Sequence, residues 1–384
     1  MAPWSGAESE SLAELLQEVT ISQGIPGAVA LIVDRDGVVH QSSSGRLDVA
    51  NDVAMPLDAI FRIASMTKPV ASLALMQQVE QGRVSLDDEV TTHLPSWVTP
   101  QVIAEAGSGT WPATRPITIR HILTNTSGLG YRFANPTLAR LADGTTLTEF
   151  DLPLVHEPGA RWTYSPGTRV AGWIVEALSG QSLEVYFQQE IFGPLGMVDT
   201  GYSVPTEKLH RLATLHRRED GVLVESANPA EAVSGAFGDG GLFSTAHDYG
   251  LFMRMLLNGG ALNGARIVGP ETVALMGENH IGDLVVEEQQ PGLPMTLVFP
   301  LGAGRDKFGL GFQITAADDR YSAFRSPGSL SWAGAQNTHF WIDSSHGIAA
   351  TVLMQILPFY DDAAIATLRA FEEGVYTTLA AASR

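Results

Sequence analysis

The stretch Val70–Val79, directly after Ser65-Met66-Thr67-Lys68-Pro69, is apolar nearly all round a helical wheel. A helix of that kind has no face to offer solvent, so other elements must enclose it on every side. Gly82 supplies its stop. The chain is large enough to enclose it. At 384 residues, 45% hydrophobic and 17% charged, it reads as one big globular domain or two smaller ones.

Composition also removes several kinds of function. The formal charge is −19, from 42 acids against 23 bases, which repels phosphate backbones and anionic lipid surfaces. Neither nucleic acid nor a membrane is expected as a partner. With no cysteine there are no disulfides, thiolate nucleophiles or cysteine-ligated metals. His-Glu-x-x-His is missing too, and the residues call for no metal and no cofactor. Met1–Glu10 is polar and acidic, unlike a secretory leader, and no apolar run is long enough to span a bilayer. The expected location is the cytoplasm. Subunit number is not readable.

Both ends of the chain have an α/β texture. Ser9–Val19 is amphipathic at helical spacing, with Leu12, Leu15 and Leu16 on one face. Gly27–Val33 is an unbroken apolar run that suits a strand covered on both sides. Asp36-Gly37 signals a hairpin into Val38–Gln41. Near the C-terminus, Phe308–Ile314, Thr338–Ile342 and Ile348–Met354 read as strands and Asp361–Ala381 as a closing helix. Between these ends, helical patterns (Val170–Leu178, Leu183–Ile191, Asp248–Leu257) alternate with Gly/Pro-punctuated loops. We therefore expect a discontinuous α/β domain from residues 1–85 and 305–384, a mainly helical insertion over 86–304, and a cleft between them. Gly277–Asp306, rich in Pro, Gly and Glu, is a candidate mobile loop near that cleft.

Three short segments carry the chemistry. Proline is tolerated only in a helix's first turn, so Pro69 puts Ser65 at or beside a helix start. Lys68, three residues on, is placed to meet Ser65 on one face. A serine hydroxyl needs a base, and a lysine serves only when burial and positive surroundings depress its pKa. An enclosed helix N-terminus provides both and also aims the Ser65 N–H at a developing oxyanion. The ordinary alternative is a capping serine and a solvent-facing lysine, and the spacing alone does not decide. Tyr164, in Tyr164-Ser165-Pro166-Gly167, sits in a loop that could project its hydroxyl into a cleft, where a nearby ammonium would ease its ionisation. The alternative is a tyrosine packed on the core. In Ser331-Trp332-Ala333-Gly334-Ala335, small residues permit close backbone approach, the Ala335 N–H is a candidate second oxyanion donor, and Trp332 a candidate apolar wall. It could equally be a plain strand edge.

Five segments, in this order, resemble class C β-lactamases and especially the family VIII carboxylesterases that share their fold. They are Phe61–Pro69, Ile119–Gly130 (with Leu123-Thr124-Asn125-Thr126-Ser127-Gly128-Leu129), Tyr164–Gly167, Gly238–Ser244 and Trp332–Asp343. The resemblance implies a β-lactamase/transpeptidase-like α/β (α+β) fold, with a central antiparallel sheet flanked by N- and C-terminal helices. It also implies Ser65 as nucleophile, Lys68 and Tyr164 as paired acid/base groups, and the N–H groups of Ser65 and Ala335 as oxyanion hole. Trp332, Gly334 and Tyr131 become candidate substrate contacts, although Tyr131 could as well be a packed loop aromatic.

Two departures bear on substrate. Where β-lactamases carry Tyr-x-Asn, position 166 is proline, and where they carry Lys-Thr-Gly this chain has Trp332-Ala333-Gly334. The side-chain amide and the cation that would hold a β-lactam are both missing. A small neutral ester is thus the expected partner, in hydrolysis or acyl transfer. The alternatives are a β-lactamase, a D-amino-acid peptidase or amidase, an acyltransferase, or an idle ligand-binding domain. No Gly-x-Ser-x-Gly elbow is present. His121 reads as a helix residue satisfied by its neighbours, nothing ties His247-Asp248 to a serine, and Gly238–Gly241 reads as a tight backbone turn.

Overall fold

A computed structural model of the chain describes residues 4, 6–97, 100–103, 109–230, 235–317 and 324–382. Gly27–Asp34 is buried at every position but its last, so both its faces are covered. Alternation sorts them: Ala28, Ala30 and Ile32 join one core cluster, Val29, Leu31 and Val33 the other. On its two sides pair Val38–Asp48 and Ile348–Leu353, both antiparallel. The N- and C-terminal parts of the chain are therefore knitted into one sheet. Its full order is Lys307–Phe308, Gln313–Ile314, Leu330–Gly334, Thr338–Asp343, Ile348–Leu353, Gly27–Asp34, Val38–Asp48 and Val53–Ala54.

Helices Gly6–Gln23 and Asp362–Ala382 cover one face, with Leu12, Leu16, Leu368 and Phe371 packed on Trp341, Ile348 and Ala350. Ala246–Leu257 lies on the other face against Gly27–Asp34 and Ile348–Leu353. Helix Thr67–Glu80 sits deeper still, buried at each position from Thr67 to Gln78. Gln77 donates to the Ile267 carbonyl and Gln78 to the Tyr186 hydroxyl, while Ser72 Oγ has no partner among the described residues. The enclosure inferred from the apolar run is what the fold provides. This is a β-lactamase/transpeptidase-like fold with a central antiparallel sheet. Among the described residues, no helix is long and apolar enough to cross a membrane.

Two local expectations need correction. The run Phe308–Ile314 is two short strands, Lys307–Phe308 and Gln313–Ile314, paired with each other. The chain reverses at Gly311, which has φ 96° and whose added Cβ would stand 2.4 Å from Ser72 Oγ on the buried helix. Only glycine fits so tight a pass, and an apolar run hides it. Likewise Leu183–Phe187 is α-helical but Gln188–Phe192 widens into a π turn.

Candidate active site

Ser65 lies in the 3-10 turn Ala64–Met66, which leads into the helix Thr67–Glu80. Ala64 adopts φ 44°, a left-handed conformation that costs a non-glycine residue roughly 1–2 kcal/mol. Strain of this kind persists only where the surroundings over-determine the backbone. Here Phe61–Arg62 pairs with Phe243–Ser244, and the Ile63 N–H donates to the Leu242 carbonyl. That pairing also brings Gly238–Gly241 over the helix start.

Lys68 is 3% exposed. Its Nζ donates to the Tyr131 hydroxyl at 2.7 Å and to the Asp239 carbonyl at 3.0 Å. It also stands over the rings of Tyr131 and Tyr164, 5.0 and 5.1 Å from their centroids. Burial drives the amine from its ordinary 10.5 down to about 7; the Asp239 charge opposes this and Arg169 reinforces it. A depressed lysine pKa was expected, and burial is its main cause.

Asp239 ties the group together. Its carboxylate accepts from the Tyr131 hydroxyl at 2.6 Å and from Arg169 at 2.8 and 3.0 Å. Burial alone would raise this carboxyl, but Lys68, Arg169 and Tyr131 outweigh it and hold it below the usual range. Of the two readings of Tyr131, the packed aromatic describes its side chain in this structure, which is 6% exposed. Its hydroxyl is committed to Lys68 and Asp239, and burial followed by the Asp239 charge keeps it firmly protonated.

The Tyr164 hydroxyl donates to Ser65 Oγ at 2.6 Å. Its loop is pinned from two sides. Asn125 Oδ1 accepts from the N–H and hydroxyl of Ser165, and Gln289 Oε1 accepts from the Tyr164 N–H. Asn125 belongs to the Leu123–Leu129 segment and Gln289 to the Gly277–Asp306 loop, so both stretches serve the site by holding Tyr164. Trp332 and Phe299 pack on the Tyr164 ring at 5.3 and 5.4 Å. The expectation that a neighbouring ammonium eases ionisation of Tyr164 is reversed: burial is the dominant influence and pushes its phenol up, despite the Ser65 hydrogen bond. Nor do Ser65 and Lys68 share a hydrogen bond. Each reaches a tyrosine hydroxyl instead.

Leu330–Gly334 completes the wall. A Cβ on Gly334 would stand 2.2 Å from the Ile63 carbonyl oxygen, so this strand end abuts the turn that carries Ser65. Ala335 opens the tight connection to Thr338–Asp343 just beyond it. Replacing Gly334 by alanine should force the two backbones apart. We expect a loss of about 1–3 kcal/mol in chemical denaturation, because the strand end and the turn carrying Ser65 must shift apart.

The sequence thus pointed to Ser65, Lys68, Tyr164, Tyr131, Trp332 and Gly334, all of which the fold gathers at this turn or against its aromatic wall. It missed Asp239, Arg169 and Gln289. The one available signal was an acid among three glycines in Gly238-Asp239-Gly240-Gly241, a charge in a stretch otherwise built for close approach. His121 is satisfied as anticipated, its Nδ1 accepting from the Thr118 N–H in a capping box. His247 is exposed at the start of Ala246–Leu257. Among the described residues, no group of three or more His, Asp or Glu could hold a metal.

A serine in the turn leading into a covered helix, a near-neutral lysine and a tyrosine donating to the serine thus stand together. The chain belongs to the beta-lactamase family, which it matches over residues 12–374. It is 30% identical to monacolin J acid methylbutanoyltransferase of Aspergillus terreus, with 92% of each chain covered. It is 28% identical to lovastatin esterase of Penicillium rubens, over 92% of this chain and 94% of that one. The solved structure of EstCE1, described as a hydrolase with promiscuous acyltransferase activity, superimposes with a TM-score of 0.78. That match has 26% identity and covers 97% of this chain and 100% of the other. An esterase and acyltransferases are thus its relatives on a β-lactamase fold.

Proposed function

We propose that the protein is a serine carboxylesterase that hydrolyses small carboxylic esters, or passes their acyl group to an alcohol, through an acyl-enzyme on Ser65. The observation that carries this reading is the contact of Tyr164 with Ser65 Oγ beside a buried amine held near pKa 7.

Hydroxyl hydrogens rotate, so the 2.6 Å contact serves in either direction. Ser65 Oγ attacks the ester carbonyl. Its proton passes by way of Tyr164 to Lys68, and the carbonyl oxygen takes the negative charge beside the N–H groups of Ser65 and Ala335. The carbonyl–alkoxy bond breaks, and the alcohol leaves with the proton that Lys68 returns. Water or a second alcohol then repeats the sequence, releasing acid or new ester and restoring the Ser65 hydroxyl. Tyr164 resists ionisation, so it relays the proton and does not store charge. Asp239, Tyr131 and Arg169 fix the amine's position.

Ester is preferred over lactam on chemical grounds. Pro166 offers no amide, and Trp332 stands where a lactam carboxylate would want a cation. The relatives' names add acyl transfer as a second outcome of the same acyl-enzyme. A panel of p-nitrophenyl esters, nitrocefin and D-amino-acid p-nitroanilides, with a Ser65→Ala control for background, tests the assignment. We expect ester kcat/KM to exceed that for nitrocefin by about 100-fold or more, as two missing polar contacts predict. Nitrocefin turned over as fast as the esters would overturn the ranking.

A further inference from the structure

A cavity of about 450 Å³ lies at the sheet's edge beside helix Asp362–Ala382. Strand alternation fixes that side. Trp332 and its partner Phe340 point toward the Tyr164 side, so Ser331 and His339, each one position along its strand, point the opposite way, toward helix Asp362–Ala382. Ser331, Ala333 and His339 line the cavity, as do Leu368, Arg369 and Glu372 of that helix; Ser65, Lys68 and Tyr164 do not, although Phe299 and Trp332, which pack on Tyr164, also border it. Its size falls within the roughly 300–1,000 Å³ typical of small-molecule sites.

Its acids are already committed. Asp306 accepts from Gln313 and from the Ala316 N–H and pairs with Arg305, while Glu372 takes both arms of Arg325 at 2.6 and 3.0 Å. The uncommitted polar groups are donors. Arg369 has no carboxylate partner among the described residues. His339 is 4% exposed, and its Nε2 has no hydrogen-bond partner among the described residues. A buried polar atom left unpaired is costly, so such an atom lining a cavity marks a place for a ligand. The wall also carries the apolar side chains of Phe324, Phe359 and Leu368. A surplus of donors beside an apolar wall, in a chain of net charge −19, is a local departure from the protein's overall acidity.

We infer that this cavity is a second binding site, for a small organic carboxylate with an aryl or alkyl body. Arg369 and His339 receive the carboxylate, and the aromatic wall takes the body. Esterases release acids of this class, so the test must separate this cavity from the Ser65 site.

Phenylacetate is titrated calorimetrically into the full chain, alongside the Ser65→Ala, Arg369→Gln and His339→Phe variants, with phenylacetamide as the uncharged probe. The expected result is one saturable site per chain, unchanged in Ser65→Ala. Affinity should fall at least tenfold in Arg369→Gln and His339→Phe, and tenfold for the amide. Arg369 is exposed at the cavity mouth, so its variant folds, and ester turnover stays within about twofold of wild type. No saturable binding would overturn the inference. So would binding that is lost in Ser65→Ala yet kept in Arg369→Gln.

Discussion

Replacing Ser65 by alanine should lower kcat for a short-chain p-nitrophenyl ester by roughly 10⁵–10⁶-fold and abolish labelling by a fluorophosphonate. The magnitude follows from what a lost nucleophile removes: the covalent route disappears, leaving the oxyanion donors and binding alone, as in serine hydrolases generally. The fold should hardly notice. Ser65 makes one side-chain hydrogen bond, to Tyr164, and its loss costs about 1 kcal/mol in denaturant unfolding. Turnover by Ser65→Ala within tenfold of wild type would mean that the acyl group is never carried on this oxygen.

Replacing Lys68 by methionine is expected to act on both rate and stability. Activity should fall about 10³–10⁴-fold, the range of a lost general base, and the acid limb of the pH profile should vanish with it. In the wild type that limb lies near pH 7, because the amine titrates at about 7 and only its neutral form accepts a proton. Ester kcat/KM therefore rises with pH through 7.

Stability moves the other way. The amine falls from 10.5 unfolded to about 7 folded, so between these values the unfolded chain holds the extra proton. Wild-type stability consequently rises with pH across this window, and below 7 the folded protein carries the full penalty of a buried ammonium. That penalty is about 5 kcal/mol at its largest. Methionine removes it, while Asp239 loses a favourable neighbour. We expect a net gain of about 1–3 kcal/mol at pH 6–7, shrinking toward pH 10.5. Equal stability differences at pH 6.5 and 10 would show that Lys68 is not the group being strained. Such a cost, maintained at a buried polar cluster, is what a site kept for chemistry predicts.

The two readings of Tyr131 illustrate how far local pattern carries. An aromatic directly after Gly128–Gly130 looks like a surface for substrate, and periodicity cannot say where its hydroxyl ends. The hydroxyl ends on Asp239, 108 residues further along the chain. Lys68 reaches the same residue across 171 positions. No spacing rule extends that far. The misjudged effect on Tyr164 has the same origin, since proximity to a cation was guessed from sequence while burial, the larger influence, depends on every neighbour. The hairpin inside Phe308–Ile314 escaped for a different reason. Gly311 is required by the helix that passes beneath it, and Gly309 by the Met276 carbonyl, not by the strand itself.

By itself the sequence determined the covered helix, the serine and lysine at its start, and strands at both ends of the chain. Each of these is a matter of which residues repeat within a few positions, and backbone geometry turns such repeats directly into faces. Only the tertiary structure decided which acid stands beside the lysine, how far burial depresses its proton affinity, and that a donor-rich cavity opens at the sheet's edge. Those are properties of dielectric and distance between segments remote in the chain, and they come into being when the chain closes on itself.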